Sequence, residues 1–247
     1  MKLVKTVSFE LAIYEKGDPN SKKLALVLPG RLDTKDYIHI TSLVEKLAQL
    51  GFYAISFDPP GSWESSGNYS AYSTTNYLTA TNELIQKLGN RPTFLAGHSR
   101  GGANAMLASA ANDCVKGLAL IMASYANASA PMSGDIKNGE YITTRDLPPG
   151  HDKNAPRKEM KLSLDYFKDS KKFKPVQALQ EFTGPKLLIA ASQDEFTPPN
   201  SVKNIYDKLS EPKEYIEIDS YHDYRFSTVA LKAVNDAVTK FVQTSVK

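Results

Sequence analysis

The sequence has little cysteine, little histidine and little imbalance of charge. Cys114 is the single cysteine among 247 residues, so no disulfide can form within the chain, and we interpret it as a structural thiol. The four histidines follow no HExxH pattern, which argues against catalytic zinc. Thirty basic against 27 acidic residues give a net charge of +3, which is too small an excess to favour nucleic acid as a partner.

Long apolar runs are also missing. No run approaches the roughly 20 residues that a membrane-spanning helix needs. Residues 1–17 alternate in polarity as a strand does, without the continuous apolar core of a secretory signal. We therefore expect a soluble cytoplasmic protein, monomeric or homodimeric, with no membrane partner. A signal peptide removed ahead of residue 1 stays open as an alternative.

Short apolar runs alternate with longer amphipathic stretches along most of the chain. Strands are predicted at residues 24–28, 53–57, 93–96, 115–123, 186–191 and 214–218, and helices at residues 37–50, 71–88, 100–111, 201–209 and 227–242. Because these strands are almost wholly apolar, both of their faces are expected to be buried, as in a parallel sheet with helices on both sides. The pattern predicts an α/β fold with a single domain over residues 1–247.

One junction between a strand and a helix carries a motif with chemical meaning. Residues 97–101, Gly-His-Ser-Arg-Gly, have the form GxSxG between the apolar segment PTFLA and an Ala-rich helix. A serine raised above a sheet needs a sharp turn, and the flanking glycines permit the close backbone approach that such a turn requires. The helix N-terminus behind it also suits a developing negative charge. We therefore predict Ser99 as a nucleophile.

A serine hydroxyl needs a base to accept its proton, and the base needs an acid to orient it. In this arrangement the order along the chain is Ser, acid, His, and the histidines after Ser99 are His151 and His222. His222 lies between the last strand and the last helix and is the predicted base, whereas His151 is expected on the surface. Asp194 follows the strand KLLIAA, at the kind of strand end where ligand sites gather. It is the predicted acid, with Glu195 as its rival.

These segments together resemble the α/β-hydrolase family over nearly the whole chain. LALVLPGRLD is similar to the family's strand and HG-x loop, FYAISFDPPGSWESSG to its next strand and D-x-R-G-x-G-x-S loop, GHSRGG to its nucleophile elbow, SQDEFTPP to its acid loop and YHDYR to its histidine loop. The resemblance implies that the backbone N–H groups of Arg31 and Arg100 bind the oxyanion, with Leu32 as the alternative to Arg31. Pro29 and Pro60 depart from the pattern, since the family usually has His and Arg there.

Residues 124–182 interrupt the alternation of predicted strands and helices, and the segment is too long for an ordinary connection. We predict a cap-like insertion, with an amphipathic helix at residues 157–173, that hangs above the strand ends. It resembles the caps of small carboxylesterases, including cinnamoyl or feruloyl esterases and monoacylglycerol lipases. Such a cap supplies walls that select a substrate. The candidate wall residues are Tyr125, Met132, Tyr141, Tyr166 and Phe167.

The sequence thus predicts a serine hydrolase that cleaves carboxylic esters of small acyl or aryl substrates through an acyl-enzyme. Its expected partner is a small-molecule ester, and the chemistry needs no cofactor and no metal. Thioesters, lactones and peptides stay open as substrates of the same residues. A binding protein with a hydrolase fold, turning over slowly or not at all, is the alternative from a different class.

Overall fold

The structure, a computed structural model, describes residues 2–128, 135–137 and 139–246. The strands within these residues are β1 (Lys2–Lys5), β2 (Glu10–Lys16), β3 (Leu24–Leu28), β4 (Tyr53–Phe57), β5 (Thr93–His98), β6 (Val115–Ile121), β7 (Asp135–Lys137), β8 (Glu140–Asp146), β9 (Arg157–Ser163), β10 (Lys186–Ala191) and β11 (Lys213–Ile218). In this described part, eight strands form one sheet in the order β1-β2-β4-β3-β5-β6-β10-β11, and β7, β8 and β9 form a second sheet.

The large sheet is parallel from β4 across to β11 and antiparallel at its β1–β2–β4 edge. Every residue of β3, β4 and β5 is buried, which explains their almost wholly apolar sequences. Leu28 in β3 pairs with Gly97 in β5, and His98 pairs with Ile121 in β6, so these strands end together. The loops that leave the carboxyl ends therefore share one rim.

Helices cover both faces of this sheet. They are α1 (Ile38–Gln49), α2 (Thr74–Lys87), α3 (Arg100–Ala111), α4 (Asp165–Ser170), α5 (Pro175–Glu181), α6 (Pro199–Tyr206) and α7 (Thr228–Ser245). Ala25 and Val27 of β3 pack in one core with α1 and α7, whereas Leu24 and Leu26 pack in another with α2, α3 and α6, because side chains alternate across a strand. The predicted α/β fold, a mostly parallel sheet with helices on both sides, is confirmed. Among the described helices none is long and apolar enough to cross a membrane.

The second sheet lies in the predicted insertion. β8 pairs antiparallel with both β7 and β9, and Tyr141 stands opposite Leu162. The predicted helix at residues 157–173 is wrong, since its first part is β9 and the helical part is limited to α4. The segment forms a strand because its buried side chains recur at every second residue: Met160 and Leu162 are buried, and Lys161 between them is exposed. The buried side chains of β8, β9 and α4 form a third core.

A buried ion pair ties the end of β8 to the loop after β11. Nη2 of Arg225 donates to Oδ1 of Asp146 at 2.9 Å, and Nη1 donates to the other carboxylate oxygen and to the Gly150 carbonyl. The hydroxyl of Tyr37 donates to the backbone carbonyl of Asp146 at 2.7 Å. The Arg225 and Asp146 side chains are only 4% and 2% exposed. The insertion is thereby fastened to the rim of the large sheet.

Candidate active site

Ser99 occupies the sharp turn between β5 and α3. Its backbone has φ 52° and ψ −118°, a strained conformation for any residue other than glycine. The motif's glycines make this turn possible. A Cβ on Gly97 would lie 2.4 Å from the carbonyl carbon of Gly101, and a Cβ on Gly101 would lie 2.0 Å from the Leu28 carbonyl oxygen. The turn sets Ser99 at the rim, directly ahead of the N-terminus of α3.

Two further side chains form a hydrogen-bonded chain with Ser99. Its Oγ lies 2.9 Å from Nε2 of His222, and Nδ1 of His222 lies 2.9 Å from Oδ2 of Asp194. The backbone N–H groups of Phe196 and Thr197 donate to Oδ1 of Asp194 at 2.8 and 2.9 Å. These two bonds fix the carboxylate and leave Oδ2 for the imidazole. The fold thus brings together the three residues that the sequence selected as nucleophile, base and acid.

Burial and charge act in opposite directions on the two ionisable members of this chain. Burial lowers the pKa of His222, but the hydrogen bond and the charge of Asp194 outweigh it, so the pKa lies above its ordinary value of 6.5. Burial raises the pKa of Asp194, but the bond and charge of His222 and the two backbone donors hold it below its ordinary value. An ionised Asp194 favours the imidazole tautomer with its proton on Nδ1, and Nε2 can then accept the proton of Ser99.

Glu195, the rival for the acid, lies outside this chain of hydrogen bonds, as do Asp223 and His151. Oε2 of Glu195 accepts the backbone N–H of His222 at a long 3.4 Å, not a ring nitrogen. Asp223 lies 3.7 Å from the Arg225 guanidinium. His151 is exposed, as the sequence predicted. The carboxylate that contacts the imidazole is therefore that of Asp194.

A tight turn over residues 30–33 borders the same site. A hydrogen bond of 3.2 Å closes the turn, and Leu32 has φ 59°, again strained for a residue with a Cβ. The N–H of Leu32 donates to the Tyr72 hydroxyl at 2.7 Å and is not available to a ligand. Among the described residues, neither the Arg31 N–H nor the Arg100 N–H has an acceptor. Of the two alternatives in this turn, the geometry favours Arg31 as an oxyanion donor.

Arg145 of β8 stabilises this turn through hydrogen bonds to its backbone. Its Nε and Nη2 donate to the carbonyl oxygen of Arg31 at 3.2 and 2.8 Å. Nε also lies 3.5 Å from Oδ1 of Asp33. The peptide group between Arg31 and Leu32 is therefore held at both ends, by Arg145 at its oxygen and by Tyr72 at its N–H. This clamp fixes the direction of the neighbouring Arg31 N–H.

A cavity of about 550 Å³ contains Ser99 in its lining. One wall is a single face of β8 and carries Tyr141, Thr143 and Arg145, which are alternate residues of the strand. Sequence reasoning missed Arg145 because it predicted no strand there, although the alternation in EYITTRD was a usable signal. It also missed Phe196, which is 57% exposed and stands edge-on to the imidazole of the site, with ring centroids 4.9 Å apart.

The predicted wall residues divide into three groups. Tyr125 and Tyr141 line the cavity, and both are more than nine-tenths buried. Tyr166 and Phe167 pack inside the core of the insertion instead. Met132 lies outside the described residues. Two of the five predicted positions are therefore placed where a substrate could contact them.

A buried polar cluster lies behind the imidazole. Asp33, His39 and His98 offer ligand atoms that all lie within 4.8 Å of one another, so they are the described residues best arranged to hold a cation. Nδ1 of His98 is 3.5 Å from Asp33, and its Nε2 is 3.2 Å from the backbone carbonyl of His222. Burial raises the pKa of Asp33, but His98 and then Arg145 outweigh it and hold the pKa well below its usual range. The charge of Asp33 is thus balanced by the protein itself.

Comparisons with known proteins agree with this architecture. A family model described as alpha/beta hydrolase fold matches residues 25–139. Lysophosphatidylserine lipase ABHD12 of Danio rerio is 32% identical over 89 residues, which are 36% of this chain and 23% of that protein. The aligned part therefore spans about a quarter of the length of this curated relative.

Solved structures are similar over almost the whole chain. Est1E from Butyrivibrio proteoclasticus, in a structure with ferulic acid bound, has a TM-score of 0.77 at 19% identity and covers 100% of this chain and 99% of its own. Monoacylglycerol lipase from Paleococcus ferrophilus has a TM-score of 0.71 at 19% identity and covers 94% of this chain and 98% of its own. Likeness at these identities establishes the fold. The chain is an α/β-hydrolase-fold protein whose structure resembles those of Est1E and monoacylglycerol lipase, as its sequence predicted.

Proposed function

We propose that this protein is a serine esterase, which cleaves carboxylic esters of small acyl or aryl substrates through an acyl-enzyme. The observation that carries the proposal is the unbroken chain of hydrogen bonds from Ser99 through His222 to Asp194, with 2.9 Å at each link. Side chains at these distances can exchange a proton without rearrangement. The strained backbone of Ser99 supports the same reading, because strain of this kind gathers at functional sites.

Acylation begins with attack of the Ser99 Oγ on the ester carbonyl carbon. Nε2 of His222 takes the hydroxyl proton as the new C–O bond forms, and Asp194 stabilises the resulting imidazolium. The negative charge moves to the carbonyl oxygen, where the N–H groups of Arg31 and Arg100 are free to bind it. Collapse of this intermediate breaks the ester C–O bond, and His222 returns the proton to the departing alkoxide. The alcohol leaves and an acyl-Ser99 remains.

Deacylation repeats the same steps with water. His222 takes a proton from a water molecule, which attacks the acyl carbonyl, and the N–H groups of Arg31 and Arg100 bind the second oxyanion. The proton then returns to Ser99 Oγ as the acid product leaves. We assign substrate selection to the insertion over residues 124–182, which forms the cap of a single domain in this proposal. The reacting groups are the same for any acyl chain, so discrimination must come from cavity residues such as Tyr125 and Tyr141.

Covalent labelling tests the proposal directly. A fluorophosphonate probe should label the wild-type protein within minutes and should not label the Ser99→Ala variant. The same variant should lose several orders of magnitude in kcat on 4-nitrophenyl hexanoate while keeping its melting temperature. Ser109→Ala is the matched control, because Ser109 lies in α3 with its hydroxyl bonded to the Met106 carbonyl.

The outcomes separate the competing functions. Absence of labelling in the wild type would contradict the proposal and favour a ligand-binding protein. Fast labelling without hydrolysis of any carboxylic ester would redirect the proposal to thioesters, lactones or amides. Retention of a tenth of the activity by Ser99→Ala would exclude Ser99 as the nucleophile.

A further inference from the structure

We propose that the Arg31 side chain forms an anion subsite in the cavity, so that the preferred ester carries a carboxylate or a phosphate close to the scissile bond. The inference rests on the proposed function and names the substrate class of that site. Its starting point is a charged side chain at the cavity for which the described residues provide no counter-charge.

Arg31 lines the cavity that contains Ser99. Its Cζ lies 5.8 Å from the centre of the Tyr141 ring, a contact that orients a guanidinium without neutralising it. Across the described residues, no carboxylate lies within ion-pair distance of Arg31, and its guanidinium donates no hydrogen bond. The five N–H donors of this guanidinium therefore have no acceptor in the part of the chain that the structure describes.

The guanidinium groups of the other two arginines in the lining already donate hydrogen bonds to protein atoms. Arg145 bonds to the Arg31 carbonyl and lies beside Asp33. Arg100 donates from Nη1 to the Ala126 carbonyl at 2.7 Å and from Nη2 to the hydroxyl of Ser170 at 2.9 Å. These bonds fix both side chains, and Arg31 is left as the guanidinium of this lining whose donors can turn to a ligand.

The acidic residues of the lining do not cancel this charge. Three arginines line the described cavity, Arg31, Arg100 and Arg145, against two carboxylates, those of Asp33 and Asp223. The partners of Arg100 are neutral oxygen atoms, so its own positive charge adds to that of Arg31. The field inside the cavity is therefore positive on the side of the 30–33 turn, and it favours an anionic ligand.

The chemistry of a guanidinium narrows the ligand class. Its planar fork matches the two oxygens of a carboxylate or of a phosphate, and it bonds either of them bidentately. Because the backbone N–H of this same residue is the proposed oxyanion donor, the bound anion lies within one arginine side chain of the reacting carbonyl. A short acidic acyl chain or a short acidic alcohol part fits that span.

A matched pair of esters tests the subsite in the acyl part. The 4-nitrophenyl monoester of adipic acid differs from 4-nitrophenyl hexanoate in carrying a terminal carboxylate instead of a methyl group. Arg31→Gln keeps the backbone N–H and should lower kcat/KM for the adipate ester about 10- to 100-fold, the range that a charge-assisted pair supplies. The readout is the ratio of kcat/KM between the two esters, which should fall about tenfold or more, because any effect of the substitution on the 30–33 turn acts on both esters alike. Arg157→Gln, an exposed arginine on β9, should change neither.

A second pair tests the alcohol part. 1-Hexanoylglycerol 3-phosphate and 1-hexanoylglycerol share an acyl chain and differ in the phosphate. Selective loss on the phosphate ester in Arg31→Gln would place the anion on the alcohol side, and selective loss on the adipate ester would place it on the acyl side. Either result supports the subsite. Equal loss, or no loss, on the charged and neutral member of both pairs would overturn it.

Binding without turnover separates this inference from the proposed function. In a Ser99→Ala background, calorimetry compares the 4-nitroanilides of adipic and hexanoic acid. Adding Arg31→Gln should weaken binding of the adipic anilide at least tenfold relative to binding of the hexanoic anilide. That result would uphold the subsite even if no ester were hydrolysed by the wild-type protein. The same background compares 1-hexanoylglycerol 3-phosphate with 1-hexanoylglycerol for the alcohol side. Binding of both pairs that Arg31→Gln leaves unchanged would refute the subsite whatever the esterase activity.

Discussion

Replacing Asp194 by asparagine reverses the hydrogen bonds around His222 with little change in shape. Oδ1 of Asp194 accepts the N–H groups of Phe196 and Thr197, so the amide oxygen of asparagine will occupy that position. The amide NH₂ then takes the position of Oδ2, 2.9 Å from Nδ1 of the imidazole. Two donors cannot share that bond. His222 must therefore present a lone pair at Nδ1 and carry its proton on Nε2.

The size of the effect follows from the position of that proton. With its proton on Nε2, the imidazole points a donor at Ser99 Oγ and cannot accept the hydroxyl proton. A tautomer error of this kind costs about 10⁴-fold in kcat in a Ser-His-Asp hydrolase, which corresponds to about 5.5 kcal/mol of lost transition-state stabilisation. The change removes no buried contact, so the free energy of unfolding should fall much less than the barrier rises.

The assay is steady-state hydrolysis of 4-nitrophenyl hexanoate, with circular dichroism to verify that the variant folds. Glu195→Gln is the control, because Glu195 makes only a long 3.4 Å bond to the His222 backbone in the described structure. It should change kcat less than about threefold. An Asp194→Asn variant that kept a tenth of the activity, or a larger loss in Glu195→Gln, would refute the assignment of the acid.

The raised pKa of His222 should place the acid limb of the kcat/KM profile above pH 6.5, because an imidazolium cannot act as a base. Assays from pH 5 to 9 that placed this limb below pH 6.5 would contradict the expectation. Asp146→Ala leaves the Arg225 guanidinium buried without its main partner, and urea unfolding should show a loss of about 3–5 kcal/mol. The exposed control Glu159→Ala should lose less than about 0.5 kcal/mol, and equal losses would exclude a structural role for the ion pair. Tyr141→Ala removes part of the cavity wall and should change the kcat/KM ratio between aromatic and aliphatic esters more than about twofold, or ~0.4 kcal/mol. A ratio that stays within twofold would count against selection by this wall.

The large sheet could be predicted because its strands are buried on both faces. The segments LALVL, YAISF and KLLIAA are continuous apolar runs, and their predicted bounds match β3, β4 and β10. The sharp turn at Ser99 could also be predicted, because the glycines that permit it lie within two residues of it in the sequence. The order of acid and base along the chain then restricted Asp194 and His222 to the strand ends that the fold brings together at the rim.

The insertion could not be predicted in the same way. The face of β8 that lines the cavity carries Tyr141, Thr143 and Arg145, so the two-residue period of this strand does not appear as a row of aliphatic residues. The bond from Arg145 to the Arg31 carbonyl joins residues 114 positions apart, and no local pattern encodes such a contact. The same holds for the pairing of Asp33 with His98, which depends on how the turn after β3 meets the end of β5.

Because side chains alternate along β8, the length of the segment ahead of this strand decides which of its side chains face the cavity. A one-residue insertion ahead of Glu140 would turn Ile142 and Thr144 to the cavity in place of Tyr141 and Thr143, because a shift of one residue exchanges the two faces of a strand. It would also withdraw Arg145 from the turn that it supports. An insertion of two residues would keep the faces as they are. A register shift of β8 by an odd number of residues therefore exchanges the set of side chains that faces the cavity, whereas an even shift keeps the same set on that face.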